Sequence, residues 1–182
     1  MGTGPIGLLC GAVAKAFVAR KIIGVDIVQS KLKFAEGLGF THTYLSKRIS
    51  AEDNAVAILD SGDLGQGADV VIDASGAETF IQTSLHVVKA GGVYVQGGMG
   101  KADITFPIMA MCQKEVTVKG SFRYGSGDFE LAIELVSSNR VPAEEAFKKA
   151  KECQFVKVLI AGPNEPIQAK GLDSLSQEST HA

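Results

Sequence analysis

Apolar and polar positions along this chain follow two periods that take turns. Residues 8–18 (LLCGAVAKAFV) are small and apolar almost without interruption, as a helix buried against a sheet requires, and they predict a first helix over 4–20 with Pro5 near its start. Residues 21–26 then read as a short strand. The segment 30–36 (SKLKFAE) mixes polar and apolar positions as an amphipathic helix ending at Gly37 or Gly39, and 41–45 (THTYL) is a strand candidate. Ser50 and the acidic residues after it predict a capped helix over 50–59. The run 68–73 (ADVVID) reads as the clearest buried strand. A helix over 78–88 stops at Ala90-Gly91-Gly92, and a strand over 92–96 leads into Gly97-Gly98-Met99-Gly100. A helix over 106–113, a strand over 116–120 and a strongly helical segment over 128–137 complete the series.

Strands separated by helices, with glycines at the strand ends, predict an α/β fold: a doubly wound parallel sheet with helices on both faces. In such sheets ligands bind beyond the carboxyl ends of the strands. Gly2 to Gly7, Asp26, Ser75-Gly76 and Gly98-Met99-Gly100 all fall at such ends. Small side chains there leave backbone accessible to a ligand.

The chemistry enters with the stretch Gly2-Thr3-Gly4-Pro5-Ile6-Gly7. It spells G-x-G-x-x-G, and an acidic residue, Asp26, stands about 20 positions on, the spacing of the dinucleotide-binding fingerprint. The first glycine permits a tight turn, the second lets backbone approach a pyrophosphate, and the third lets the helix pack against the sheet. Phosphates then meet free N–H groups at the positive end of the helix. Asp26 would accept hydrogen bonds from the adenosine ribose and repel a 2′-phosphate, which favours NAD over NADP. The fingerprint normally follows a strand, and here it starts at residue 2, so the expectation is a sheet without its first strand. An exposed sheet edge left in that way predicts instability or association into homo-oligomers.

Composition narrows the classes. The 182 residues are 46% hydrophobic, enough for one domain with a sizeable core. A formal net charge of -2 offers no basic field for nucleic acid or a membrane surface. No apolar run reaches the roughly 20 residues of a bilayer span and no signal peptide is recognisable, so a cytoplasmic location is expected. Cys10, Cys112 and Cys153 are too scattered for a disulfide framework or a zinc cluster, and His42, His86 and His181 are scattered too.

Longer stretches carry a resemblance. GTGPIGLLCGAVAKAF, KIIGVDIVQSKLKFA, VVIDASGAE, GGVYVQGGMG, VTVKGSFRYG and VKVLIAGPNE together span nearly all of residues 2–165. They resemble the polyol branch of the zinc-dependent medium-chain dehydrogenases, the group of sorbitol and xylitol dehydrogenases (D-xylulose reductases). The resemblance implies an oxidoreductase that moves hydride between NAD and a small polyol or ketose. It implies that Gly2, Gly4, Pro5, Ile6 and Gly7 line the pyrophosphate, that Asp26 and Lys31 hold the adenosine ribose, and that Ser75 lies at the cofactor. Gly98, Met99, Ser121, Phe122 and Arg123 would border the nicotinamide half, with Tyr124 next to the substrate. Lys31 stands where the family often has arginine, which keeps the charge without the fork geometry.

The resemblance also implies absences. The cysteine, histidine and glutamate that bind the family's catalytic zinc have no counterparts in these residues, so no catalytic or metal-binding residue is assigned. The expected organisation is an NAD-binding Rossmann domain over 1–140 lacking its first strand, a remnant of the catalytic domain over 141–165, and a disordered polar tail over 166–182. Within the remnant, 143–152 (AEEAFKKAKE) reads as a charged helix and 155–161 (FVKVLIA) as a strand before Gly162-Pro163. Alone, such a chain is expected to have little dehydrogenase activity. A stand-alone NAD-binding module or pseudoenzyme is the second reading. An S-adenosylmethionine methyltransferase is the third, and the glycine spacing and the FRYG turn argue against it.

Overall fold

The computed structural model describes residues 1–141. The expected helix over 143–152, the strand over 155–161, the catalytic remnant and the polar tail lie outside the described residues. Helices and strands alternate in the order α1 (Pro5–Ala16), β1 (Ile23–Asp26), α2 (Gln29–Gly37), β2 (His42–Leu45), α3 (Ala51–Ser61) and β3 (Ala68–Asp73). The series continues with α4 (Glu78–Val87), β4 (Val88–Gln96), α5 (Ile108–Gln113), β5 (Thr117–Gly120) and α6 (Asp128–Ser137). Every strand pair is parallel, as βαβ connections demand.

The single expected sheet is divided. β1 pairs with β2, β3 and β5 flank β4, and no ladder joins β1 to β3. Among the described residues, the backbone of Met1 and Gly2 bridges the interval. The Met1 nitrogen donates to the Ile72 carbonyl at 2.7 Å, Ala74 N to Met1 O at 2.9 Å, and Gly2 N to Val25 O at 2.8 Å. This division explains why 68–73 is not the continuous buried strand its composition predicts. Val71 and Asp73 are buried, whereas Val70, beside the interval, is 54% exposed.

Two other expectations change. The first helix ends at Ala16, not Arg20, because the chain closes it with Val18 N to Lys15 O and Ala19 N to Ala14 O, both 2.9 Å. This is the Schellman arrangement, here with a valine at φ 66° in the left-handed position that glycine usually takes. Its burial is also narrower than the sequence suggests: Leu8, Gly11 and Ala12 are buried, while Ile6, Val13 and Phe17 face outward. Gly91 and Gly92 do not delay the following strand either. β4 already begins at Val88, and Gly91 (φ 67°) sits inside it, near a register shift against β3.

The main core lies where α3 and α4 cover β3 and β4, with Ile58, Phe80, Leu85, Val88 and Tyr94 inside. Each such side chain contributes about 1.5–3 kcal/mol by leaving water. A second cluster, Leu8, Ile22, Ala35, Leu38 and Phe40, fixes α1 and α2 on β1. Polar groups secure the helix ends. Ser50 caps α3 by accepting from Asp53 N at 3.0 Å. Lys114 reaches the carboxyl end of α4, donating to the carbonyls of Leu85, His86 and Val88 at 3.2, 2.6 and 3.0 Å.

Candidate nucleotide-binding site

The loop leading into α1 is folded back on itself by its glycines. A side chain on Gly7 would overlap the Gly2 carbonyl, and one on Gly2 (φ 81°) would meet Ser75 Cβ at 3.0 Å. Gly4, the residue capping α1, is different: nothing lies within 4 Å of where its side chain would be. That open face lies where the unpaired N–H groups of α1 begin, and Pro5 at the first turn has none to offer.

At the end of β1, Asp26 turns its buried carboxylate back to this loop. Thr3 N and Thr3 Oγ1 donate to Asp26 Oδ2 at 2.8 and 3.0 Å, and Val28 N donates to Oδ1 at 3.0 Å. A carboxylate offers about four acceptor positions, so Oδ1 retains capacity for a further donor. Thr3 was not singled out by the sequence pattern, because the fingerprint leaves that position free. Lys31 is exposed, and among the described residues it makes no hydrogen bond or ion pair with Asp26.

A second carboxylate organises the neighbouring strand end. Asp73 is fully buried; its Oδ1 accepts from Ser75 N at 3.0 Å, Gly76 N at 2.6 Å and Gln96 Nε2 at 3.3 Å, and its Oδ2 from Ser75 Oγ at 3.0 Å. The signal was present as Asp-x-Ser-Gly, an aspartate bonding the backbone two residues on. The Asp73 carbonyl in turn accepts from Gly97 N and Gly98 N at 2.9 and 2.8 Å, and Gln96 Nε2 donates to Gly98 O at 2.6 Å. Side chains on Gly98 or Gly100 would collide with the Ser75-Gly76 backbone. The loops after β3 and β4 are therefore in contact along their main chains.

Gln96 also ties in the next strand, since Ser121 N donates to its carbonyl at 2.9 Å. Tyr94 Oη donates to the Gln96 side chain, and burial together with the nearby Asp73 charge pushes the phenol well above its usual range. The structure thus brings Gly2, Gly7, Ser75 and Gly98 into contact, with Ser121 tied in through Gln96 and Asp26 through Thr3, while Gly4, Pro5 and Ile6 continue the first loop into α1. Met99 is there too, 80% exposed. Phe122, Arg123 and Tyr124 follow Ser121 but turn to local partners: the Arg123 guanidinium lies 5.3 Å from the Phe122 ring, and Tyr124 stacks edgewise on Phe129 at 4.6 Å.

A dinucleotide fits this rim on two observations: the open face at Gly4 and the fixed carboxylate of Asp26. Zinc does not fit the described residues. No three His, Cys, Asp or Glu side chains converge among them, and a catalytic zinc needs three protein ligands. His86, for instance, pairs with Glu52, at 3.3 Å. No helix of the described residues is long and apolar enough to cross a membrane.

Residues 5–138 match the family model described as zinc-binding dehydrogenase. Over 174 residues the chain is 52% identical to D-xylulose reductase A of Aspergillus niger and 51% identical to that of Aspergillus oryzae, in each case over 88% of this chain and 49% of the relative. The chain thus spans about half the length of the curated relatives it matches. Among solved structures, L-idonate 5-dehydrogenase of Escherichia coli superposes with a TM-score of 0.66 at 28% identity, over 84% of this chain and 46% of that one. A zinc-binding dehydrogenase of Sinorhizobium meliloti, solved bound to NADP, superposes with a TM-score of 0.63 at 27% identity, over 77% and 41%. With its parallel α/β architecture and a family match covering most of its length, the chain belongs to the zinc-binding dehydrogenases.

Proposed function

We propose that this chain is the NAD-holding part of a polyol dehydrogenase that oxidises a secondary alcohol of a xylitol- or sorbitol-like substrate to the ketose. The observation that carries the cofactor assignment is the pairing of an open Gly4 face with the Asp26 carboxylate fixed by Thr3. The pyrophosphate would lie over Gly4 at the start of α1, where N–H groups and the helix dipole favour an anion. Gly2 and Gly7 hold the loop low enough for that approach, and Pro5 and Ile6 form its upper edge. Asp26 would accept a ribose hydroxyl at Oδ1, and its charge would oppose a 2′-phosphate, with Lys31 also on the adenosine ribose.

Ser75, Gly98, Met99 and Ser121 would flank the nicotinamide half, with Phe122 and Arg123 beyond them and Tyr124 on the substrate side. Bound NAD supplies the hydride acceptor. The chain's residues orient it and exclude water from one face. The alcohol's proton is not assigned to any described residue, because the described residues do not assemble a metal site or a paired acid and base at the rim. The polyol substrate class rests on the names of the relatives, D-xylulose reductases.

On this reading the 182-residue chain binds the cofactor and has little or no xylitol oxidation of its own. Calorimetric titration with NAD tests the first half, and NADH formation with xylitol, with and without added zinc, tests the second. Full activity of the isolated chain would refute the division of labour. A stand-alone NAD-binding module is the second reading, favoured by the missing metal-ligand cluster among the described residues. Restoration of activity by the remaining half of a related enzyme would count against it.

A further inference from the structure

Gln96, the last residue of β4, stands in register with Asp73 on β3 and Gly120 on β5. Its main chain and side chain together reach the ends of all three strands. The carbonyl accepts from Ser121 N at 2.9 Å, and Nε2 donates to Asp73 Oδ1 at 3.3 Å and to Gly98 O at 2.6 Å. A carboxylate and a carbonyl only accept, so the atom facing them is the amide nitrogen. Oε1 then takes the hydroxyl proton of Tyr94, a side chain buried in the main core. Burial and the Asp73 charge keep that phenol protonated and therefore a donor. The amide thus has one orientation, set by a core residue on one side and by Asp73 on the other.

That orientation carries into the loop after β4. Gly97 N and Gly98 N hold the loop to the Asp73 carbonyl through main-chain groups alone. What the Gln96 side chain adds is the direction of the next peptide, because it draws the Gly98 carbonyl onto Nε2. Across a trans peptide the C=O and N–H point opposite ways, and no cis peptide occurs among the described residues. Met99 N–H is therefore turned away from Gln96. Met99 is exposed, and among the described residues its N–H donates no hydrogen bond. With a pyrophosphate over Gly4 and the adenosine at Asp26 on the β1 side, the second nucleotide extends the other way, across the ends of β3, β4 and β5. We propose that Gln96 is a positioning residue for the nicotinamide half of the cofactor, holding the Gly98–Met99 peptide with its N–H toward the bound nucleotide. The inference rests on the cofactor reading above and adds to it the residue that sets the second half of the site.

Titration of the 182-residue chain with NAD and with ADP-ribose, which lacks the nicotinamide ring, separates the two halves of the site. Gln96→Met keeps the length of the side chain and removes both of its polar atoms. It is expected to bind NAD about ten-fold more weakly than the parent and ADP-ribose within about two-fold of it. A side chain that only supported the fold would weaken both alike. Tyr94→Phe leaves Gln96 in place and removes the proton that orients it, so it should shift the ratio of the two affinities in the same direction, by about three-fold. It carries the comparison if Gln96→Met unfolds the protein. An unchanged ratio, whether both affinities hold or both fall together, overturns the proposal. A parent that binds neither compound refutes the cofactor reading itself, and the role of Gln96 falls with it.

Discussion

Thr3 holds Asp26 by two donors on one oxygen, its backbone nitrogen at 2.8 Å and its hydroxyl at 3.0 Å. The residue that the fingerprint leaves unspecified thus fixes the acid that the fingerprint requires. Both are buried, so the pair joins the phosphate loop to the end of β1 away from competing water.

Replacing Thr3 by valine keeps the shape and the backbone donor but removes the hydroxyl. A hydrogen bond to a charged group is worth about 1.5–3 kcal/mol, so Thr3→Val is expected to lose stability of that order. NAD affinity should fall several-fold, since Asp26 is then held by one donor fewer. Urea denaturation and calorimetric titration measure the two effects separately.

The glycines divide into two kinds. Gly98→Ala forces a methyl group into the Ser75-Gly76 backbone and is expected to cost more than 2 kcal/mol of stability with or without cofactor. Gly4→Ala meets nothing in the chain itself, so its melting temperature should stay near the parent's while NAD affinity drops at least ten-fold. A Gly4→Ala protein that binds NAD normally would place the pyrophosphate elsewhere.

Lys114 connects α5 and β5 to the end of α4 through three carbonyls, and burial lowers its pKa below the usual lysine range. Lys114→Met retains the side-chain stem but strands those acceptors. The expected loss is about 2 kcal/mol, seen as a lower urea midpoint with an unchanged slope.

Lys21 anchors the loop after α3: its Nζ donates to Asp63 Oδ2 at 2.7 Å and to Gly62 O at 3.2 Å. The hydrogen bond and then the charge of Lys21 hold the Asp63 carboxyl below its ordinary value of 3.8. A carboxyl with a lowered folded-state pKa contributes stability that is present above the unfolded value and is lost as pH falls through the folded one. The stability difference between the parent and Asp63→Asn should therefore be constant from neutrality down to about pH 5 and shrink below it. Because the pair is exposed, the difference should also be small.

Much of this fold was legible in the order of the residues. ADVVID and DFELAIELVS carry their periods plainly, and β3 and α6 keep the predicted bounds. The glycine loops were legible as strand ends because only small residues allow the backbones after β3 and β4 to touch. What the sequence could not display were relations across distance. Val18 takes a left-handed conformation that its side chain argues against. Asp73 looked like a strand terminus and proves to be the shared acceptor for Ser75, Gly76 and Gln96. Phe122, Arg123 and Tyr124 read as cofactor neighbours, yet their described contacts are with one another and with Phe129.

The most direct test of the cofactor assignment is a pair of calorimetric titrations of the 182-residue chain, one with NAD and one with NADP, repeated on Asp26→Ser. The parent should bind NAD at least ten-fold more tightly than NADP, and Asp26→Ser should remove this preference. Equal binding of the two nucleotides by the parent, or no binding of either, would contradict it.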